Sequence, residues 1–257
     1  MTQLNFLDPN PNGKPAVLLL HGLGATGASW TLQLPALTKS GFRPIAPDTS
    51  GFGDSPYDGR GWSIPRAAVQ MADLLEELHT GPVHVVGLSM GGVIAQQFAH
   101  DFPHLTRKLV LVSTFSVLRQ ENFNGLSYFL RRAFAVLVLG LRAQAQVVAG
   151  RIFPGPDQGP LREMLVATIT GADPRAYRRA MISLGTFDSR KWLKGIKVPT
   201  LVITGTADTT VSPSRQMQLA EGIPGSKQVL IPNAGHAVSI DAAGKFNQAL
   251  LEFLCAP

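Results

Sequence analysis

A serine flanked by glycines, Ser89 in the stretch "GLSMG" from Gly87 to Gly91, is the first residue of this sequence whose setting suggests chemistry. An apolar run typical of a buried strand precedes it, and a helix-forming run begins at or near Met90. Glycines on both sides are expected at so tight a corner, because a Cβ there would clash with the neighbouring strand or helix. A G-x-S-x-G corner is typical of a nucleophilic serine whose hydroxyl projects from the edge of a sheet.

A neutral serine hydroxyl is a poor nucleophile, so this hypothesis requires a general base and a group that orients the base. His236 is the candidate base, because it lies in the loop "NAGHAV" between the last predicted strand and the last predicted helix. Asp208, in "GTAD" at the end of another predicted strand, is the candidate orienting carboxylate. The alternative is that Asp208 forms a turn and His236 is an ordinary loop histidine. A surface or packed structural role is expected for four histidines in or beside regular elements: His79, His84, His100 and His104.

These candidates are far apart in the chain, so a scaffold must bring their loops together. Runs that are apolar without alternation predict strands covered on both faces of a parallel sheet. Six such runs are present: Ala16–Leu20, Phe42–Ala46, Val83–Gly87, Lys108–Ser113, Pro199–Thr204 and Lys227–Ile231. Helical patterns lie among them: Ile64–His79, Met90–His100, Ser214–Glu221 and Ile240–Leu254. The alternation predicts an α/β fold with a mostly parallel central sheet flanked by helices.

The alternation stops between about Phe115 and Trp192, where helical runs alternate with Gly/Pro breaks such as Phe153–Pro160. From Phe115 to Arg190 there are ten arginines, no lysine and five acidic residues, a net charge of +5 of the chain's +6. An insertion between two strands of a sheet emerges at the edge where ligands bind. We therefore expect a core of residues 1–114 and 193–257, and a helical cap, residues 115–192, inserted after the strand that ends near Ser113.

Composition limits the classes of function. The chain has 257 residues, 45% of them hydrophobic and 16% charged, which is typical of one large globular domain. Its pI near 9.8 has no accompanying basic run or base-stacking motif, so nucleic acid is not an expected partner. The longest apolar stretch, Ala133–Leu141, is far shorter than the roughly 20 residues that cross a bilayer, and we predict a buried helix there. The N-terminus has no secretory signal pattern and Cys255 is the single cysteine, so a cytoplasmic location is expected.

The order Ser89, Asp208, His236 is the order expected of an α/β-hydrolase triad, and the chain resembles that family from about Ala16 to Phe253. Two further stretches carry the resemblance: "HGLG" from His21 to Gly24, and "DTSGFGDS" from Asp48 to Ser55. One departure is that only Gln3–Asp8 precedes the first strong strand, where family members often have a longer β-hairpin. The sheet is therefore expected to lack one edge strand.

The resemblance implies that the backbone N–H groups of Leu23 and Met90 form an oxyanion hole. It implies that His21 braces its loop and does not react. In the second stretch, Asp48 and Ser55 are expected to form local hydrogen bonds within a turn.

A serine hydrolase of this family is expected to cleave a carboxylic ester of small-to-medium acyl chain through an acyl-serine, with no metal or organic cofactor. An enol-lactone hydrolase similar to 3-oxoadipate enol-lactonase is the alternative, since an arginine of the cap could hold a substrate carboxylate. A carbon–carbon bond hydrolase and a perhydrolase also stay open. Two other classes are a non-catalytic ligand receptor and a cap that docks on a membrane surface or a partner.

Apolar residues near the oxyanion loop, the cap or the histidine loop are candidates for the acyl pocket, although residues of these types are individually more often part of the core. They are Trp30, Phe115, Phe123, Phe129 and Val238.

Overall fold

The computed structural model of the chain describes residues 3–118 and 140–256. Seven strands in this part of the chain form one sheet: β1 (Phe6–Leu7), β2 (Ala16–Leu20), β3 (Arg43–Pro47), β4 (Val83–Leu88), β5 (Thr106–Val112), β6 (Thr200–Gly205) and β7 (Lys227–Ile231). Their order across the sheet is β1-β3-β2-β4-β5-β6-β7. Only the β1–β3 pairing is antiparallel within this sheet. The predicted mostly parallel sheet is confirmed.

Nine α-helices are found among the described residues: α1 (Leu34–Lys39), α2 (Ile64–Glu77), α3 (Met90–Asp101), α4 (Leu141–Ile152), α5 (Gly159–Gly171), α6 (Pro174–Thr186), α7 (Pro213–Gly222), α8 (Val238–Asp241) and α9 (Ala243–Cys255). Short 3-10 turns occur at Gly27–Trp30, Pro103–Leu105, Pro156–Gln158 and Leu193–Gly195.

The sheet is covered on both faces, which explains why its strands are apolar without alternation. All five residues of β2 are buried. Leu18 and Leu20 belong to one apolar cluster, whereas Val17 and Leu19 belong to a second cluster with Phe246 of α9. Successive side chains of a strand point to opposite faces, so one continuous apolar run supplies both cores.

The last predicted helix, Ile240–Leu254, is two helices in the structure. α8 ends at Asp241, and Ala242 has φ −138° and ψ 46°, which is not helical, before α9 begins. The short N-terminal segment supplies one edge strand, β1, of two residues. Most of the predicted buried helix at Ala133–Leu141 lies outside the described residues.

The predicted helical insertion is confirmed where the chain is described: α4, α5 and α6 lie between β5 and β6 in sequence. Hydrogen bonds connect α6 and the turn before it to the rest of the molecule. The backbone N–H of Asp173 donates to the carbonyl of Gly51 at 2.8 Å, and the N–H of Ile64 donates to Ser183 Oγ at 3.0 Å. None of the helices in residues 3–118 and 140–256 combines the length and the apolar character that a membrane crossing requires.

The chain reverses its direction of travel across the sheet between β2 and β4, which are neighbours. From β2 the chain moves outward to β3, and from β4 it moves the other way to β5, β6 and β7. Loops at the carboxyl ends of β2 and β4 therefore diverge and leave a crevice between them, which is where open α/β sheets bind ligands.

Candidate active site

Ser89 occupies a strained corner between β4 and α3. Its φ of 53° and ψ of −111° lie in a region that residues with a side chain rarely adopt. A Cβ on Gly87 would collide with the carbonyl of Gly91, and a Cβ on Gly91 would collide with the carbonyl of Leu20 in β2. The two glycines are therefore required by close backbone approach, as the sequence predicted.

Hydrogen bonds from the backbone of Ser89 hold this conformation. Its N–H donates to the carbonyl of Val112 at the end of β5 (2.9 Å), and its carbonyl accepts from Thr114 Oγ1 (2.8 Å). The Ser89 hydroxyl makes no capping hydrogen bond to α3, so it is not used to satisfy the start of that helix. Met90 is the first residue of α3, and its N–H has no acceptor within the helix.

Asp208 and His236 form a buried pair at the carboxyl ends of β6 and β7. His236 Nδ1 lies 2.9 Å from Asp208 Oδ2, and the two residues are only 5% and 3% exposed. The other carboxylate oxygen of Asp208 accepts the backbone N–H groups of Thr210 (2.8 Å) and Val211 (2.9 Å). A carboxylate that accepts from donors on both oxygens cannot itself donate, so Nδ1 carries the proton and Nε2 of His236 is left as an acceptor.

A cavity of about 310 Å³ brings the candidate residues together. Ser89 and His236 both line it, and so do Gly22 and Leu23 from the loop after β2. A methyl group placed on Gly22 would lie 3.7 Å from the Cβ of Ser89, which shows how closely this loop approaches the serine. A substrate in the cavity would therefore meet the serine hydroxyl, the imidazole and the loop after β2 at once.

The candidates for an acyl pocket divide into three groups. Phe115 lines the cavity. Trp30 and Val238 are buried in the apolar core with Phe246, and neither is among the residues that line the cavity. Phe123 and Phe129 lie outside the described residues. The described apolar residues that line the cavity include Leu118, Val148, Ile152, Phe153, Leu165, Leu184, Val211 and Ile240.

His21 braces the loop after β2, as the resemblance implied. Its Nδ1 lies 2.8 Å from the carbonyl of Gly22, and its Nε2 accepts the N–H of Thr49 at 3.0 Å. These partners require a neutral ring with the proton on Nδ1. Complete burial lowers the pKa of His21, which favours the same neutral form. His21 is therefore a structural residue that supports Leu23.

The stretch from Asp48 to Ser55 is a turn that is stabilised by hydrogen bonds of the side chains of Asp48 and Ser55. Asp48 accepts the N–H of Gly27 (2.7 Å) and the N–H of Asp54 (3.1 Å), and its carbonyl accepts Ser55 Oγ (2.8 Å). The local roles predicted for Asp48 and Ser55 are confirmed. Gly27 begins the turn that contains Ala28 and Ser29, which line the cavity. The hydrogen bonds of Asp48 therefore help to position one wall of the cavity.

Two polar residues next to the predicted site were missed by sequence reasoning. Thr114 supports the backbone of Ser89, and Gln216 donates to Asp208 Oδ2 at 3.0 Å. Gln216 left a signal in the sequence, because it shares one face of α7 with the buried Leu219 and Ala220 and so replaces an apolar residue there. Thr114 left none, since a hydroxyl after a strand is common in turns.

No group of three or more metal-ligating side chains is assembled anywhere in residues 3–118 and 140–256.

Comparison with known proteins assigns the chain to a family. The sequence pattern of the α/β hydrolase fold family matches residues 15–243, so the chain belongs to that family. A relative named "Putative carbamate hydrolase RutD", from Variovorax paradoxus (strain S110), is 32% identical over 98% of this chain and 96% of the relative.

Two solved structures extend the comparison. The enol-lactonase from Burkholderia xenovorans LB400 superimposes with a TM-score of 0.89 at 25% identity and covers 98% of this chain and 96% of its own. A malate-bound thermophilic esterase from Thermogutta terrifontis has a TM-score of 0.86 at 29% identity, with coverage of 98% and 93%. By their names, these three similar proteins are a carbamate hydrolase, an enol-lactonase and an esterase, so they differ in substrate.

Proposed function

We propose that the chain is a serine hydrolase that cleaves carboxylic esters of small-to-medium acyl chain. The observation that carries the proposal is the buried Asp208–His236 pair beside the same cavity that Ser89 lines. Nucleophile, base and orienting carboxylate are the three parts that acyl transfer by serine requires. The family and the esterase among its structural neighbours support this class of reaction.

The proposed reaction has two halves. In the first, His236 Nε2 takes the proton of Ser89 as its oxygen attacks the acyl carbon; the imidazolium then protonates the departing alkoxide, and an acyl-serine remains. In the second, His236 takes a proton from water, the hydroxide attacks the acyl-serine, and the proton returns to Ser89. Asp208 fixes the tautomer and stabilises the imidazolium in both halves. No external oxidant or reductant is needed.

We assign the oxyanion to the backbone N–H groups of Leu23 and Met90. Leu23 lines the cavity beside Ser89, and the N–H of Met90 follows the nucleophile at the start of α3. Backbone donors fixed before the reaction stabilise the negative charge that develops in the transition state. Residues 115–192 would act as a cap, since Val148, Ile152 and Leu165 of this segment line the same cavity as Ser89.

A second candidate is hydrolysis of an acidic lactone. The observation that favours it is that Arg151 and Arg215 both line the cavity, where either guanidinium could bind a substrate carboxylate. The enol-lactonase among the structural neighbours and the relative named for carbamate hydrolysis act, by their names, on other acyl carbonyl groups. A substrate panel should therefore contain a simple ester, an acidic lactone and a carbamate.

Replacement of the nucleophile tests the proposal. With p-nitrophenyl acetate and butyrate as substrates, Ser89→Ala should lower kcat/KM by about three orders of magnitude or more, because the proposed acyl intermediate forms on the Ser89 oxygen. Ser226→Ala is the matched control, since its hydroxyl bonds only to the carbonyl of Ala220, away from the cavity, and it should keep wild-type turnover.

Residual activity of Ser89→Ala within a few-fold of the wild type would end the assignment of Ser89. Tight binding of substrate-like ligands without any turnover of esters, lactones or carbamates would favour the non-catalytic receptor instead.

A further inference from the structure

Gln216 of α7 is a buried amide that contacts the carboxylate of Asp208. Its side chain is completely buried. Nε2 donates to Asp208 Oδ2 at 3.0 Å and to the backbone carbonyl of Val211 at 2.9 Å. Asp208 Oδ2 is the same oxygen that accepts His236 Nδ1, so Gln216 and the imidazole share one acceptor.

The chemistry of its partners fixes the orientation of the Gln216 amide. Both neighbours of Nε2, a carboxylate and a backbone carbonyl, can only accept hydrogen bonds, so the flipped amide would bring oxygen against oxygen twice. The remaining atom, Oε1, is buried and has no hydrogen-bond partner among the described residues. A buried unpartnered carbonyl is unfavourable. The amide is therefore held in one orientation by its two donated bonds.

We propose that Gln216 is a positioning residue for the reaction, acting on His236 through Asp208; this inference rests on the proposed function. The Gln216 donor holds Oδ2 where it meets His236 Nδ1, while Thr210 and Val211 hold Oδ1. The hydrogen bond from Gln216 also partly neutralises the negative charge on Oδ2, so that this oxygen attracts the imidazolium less strongly. Gln216 thereby sets both the direction of the ring and the strength with which Asp208 stabilises the imidazolium.

Other charged groups face this pair and must stay constant in any test. Asp241, whose carboxylate accepts the N–H of Gly235 at 2.9 Å, interacts electrostatically with both His236 and Asp208. Arg151 and Arg215 line the same cavity. All three are left unchanged in the variants below, so their influence cancels in the comparison with the wild type.

Gln216→Met removes the donor while keeping an unbranched side chain of similar length. We expect kcat with p-nitrophenyl butyrate to fall roughly tenfold with little change in KM, because a less well-oriented base affects the transition state and not substrate binding. The acid limb of the kcat/KM profile should move to higher pH, since Oδ2 then offers more charge to the imidazolium. Gln216→Glu, which keeps the shape but replaces the donor by a second carboxylate, should lose more kcat and move the limb further.

Gln33 provides a matched control, because its amide has no hydrogen bond to Asp208 or His236. It is also completely buried, its Nε2 also donates to two acceptors, Ser239 O and Asn247 Oδ1, and its Oε1 is likewise without a partner among the described residues. Gln33→Met should destabilise the protein about as much as Gln216→Met and leave the pH profile unchanged. The difference between the two variants isolates the contact with Asp208.

A second readout does not depend on turnover. In NMR spectra of histidine-labelled protein, with His236→Gln to identify the signal, the His236 ring should titrate at higher pH in Gln216→Met than in the wild type and Gln33→Met. An unchanged His236 titration and a kcat within twofold of the wild type would overturn the role of Gln216. If no ester, lactone or carbamate is hydrolysed, the proposed function fails, but a shifted His236 titration would still establish that Gln216 controls the pair.

Discussion

Single side chains in this protein are fixed by partners that determine their protonation state. His21 is neutral because one ring nitrogen meets a carbonyl and the other meets an N–H group. His236 keeps its proton on Nδ1 because Asp208 can only accept. In both cases the ring is oriented by a hydrogen bond and not by packing alone, and this leaves one defined nitrogen for chemistry in His236.

His84 of β4 is a different case, a buried histidine whose ring lacks a full set of partners. Its edge packs against Phe42 with ring centroids 5.8 Å apart, and its Nδ1 has no hydrogen-bond partner among the described residues. Burial, together with the positive charges of Arg107 and Lys108, lowers the pKa of His84 to about 4. Folding therefore favours the neutral ring.

The sign of the resulting pH dependence follows from linkage. The unfolded chain binds the proton of His84 near its ordinary pKa of about 6.5 and the folded chain only near 4, so stability is lost as the pH falls through this window. His84 should remove about 2 kcal/mol of unfolding free energy between about pH 7 and pH 5. We expect the unfolding free energy of His84→Phe, measured with urea at both pH values, to fall by about 2 kcal/mol less than that of the wild type.

His104→Gln, at an exposed position of the same protein, is the control and should keep the acid sensitivity of the wild type. Equal acid sensitivity of His84→Phe and the wild type would show that His84 is not the titrating group.

At the scale of secondary structure, the candidate site is made by the ends of strands. β2 leads to Leu23, β4 to Ser89, β6 to Asp208 and β7 to His236. Strands that run parallel place all their carboxyl ends at one edge of the sheet, so four separate loops converge there. The elements themselves contribute rigidity, and the residues just beyond them contribute chemistry.

The last helix depends on a lysine from the sheet. Lys108 of β5 donates from Nζ to the carbonyls of Phe253 (3.0 Å), Leu254 (3.3 Å) and Ala256, and it lies over the Phe253 ring. The final carbonyls of a helix have no partner within it and carry a partial negative charge, so a cation there is favourable.

Lys108→Met should therefore lower the unfolding free energy by about 1–2 kcal/mol, measured by urea denaturation at neutral pH. Lys245→Met, at an exposed position of the same helix α9, should change it by less than about 0.5 kcal/mol. If the two variants lose the same stability, the contacts of Lys108 with the helix end contribute nothing.

At the scale of the whole molecule, the cavity is shared between the sheet core and the inserted helices. The core contributes Ser89 and His236, whereas α4 contributes Arg151 near the end of the helix. The guanidinium of Arg151 also donates to the carbonyl of Thr209, next to Asp208. The insertion thus places a positive charge in the wall of the same cavity that holds the proposed nucleophile.

This arrangement predicts a substrate preference. Arg151→Met should lower kcat/KM for an ester whose acyl chain ends in a carboxylate by roughly tenfold or more, while p-nitrophenyl butyrate changes less, because only the acidic substrate loses a charged hydrogen bond. Arg142→Met is the control, since Arg142 lies exposed on the same helix and does not line the cavity. Equal losses for both substrates would mean that Arg151 supports the loop of Asp208 and does not select acidic acyl groups.

Much of the fold could be predicted from local patterns. All six predicted strands are present with bounds within two residues, because burial on both faces leaves a continuous apolar run in the sequence. The corner at Ser89 was equally visible, since close backbone approach leaves glycine as the residue that fits at Gly87 and Gly91. Both features depend on residues that are adjacent in the chain.

The walls of the cavity could not be predicted in this way. Ala28 and Ser29 line the cavity, whereas Trp30, the next residue, turns into the core. Ala237 and Val238 differ in the same manner. In a tight turn, a rotation of one residue reverses the direction of a side chain, and no periodicity in the sequence records that rotation.

By itself the sequence determined the strands, the helices around them and the strained serine corner, since these follow from burial and sterics among near neighbours. The sequence suggested that Asp208 orients His236, but only the tertiary structure brings the two residues, 28 positions apart, into contact and places Gln216 on the same carboxylate oxygen. Those contacts depend on β6 and β7 lying side by side in the sheet. Strand order results from the packing of the whole chain, so no single segment of the sequence predicts it.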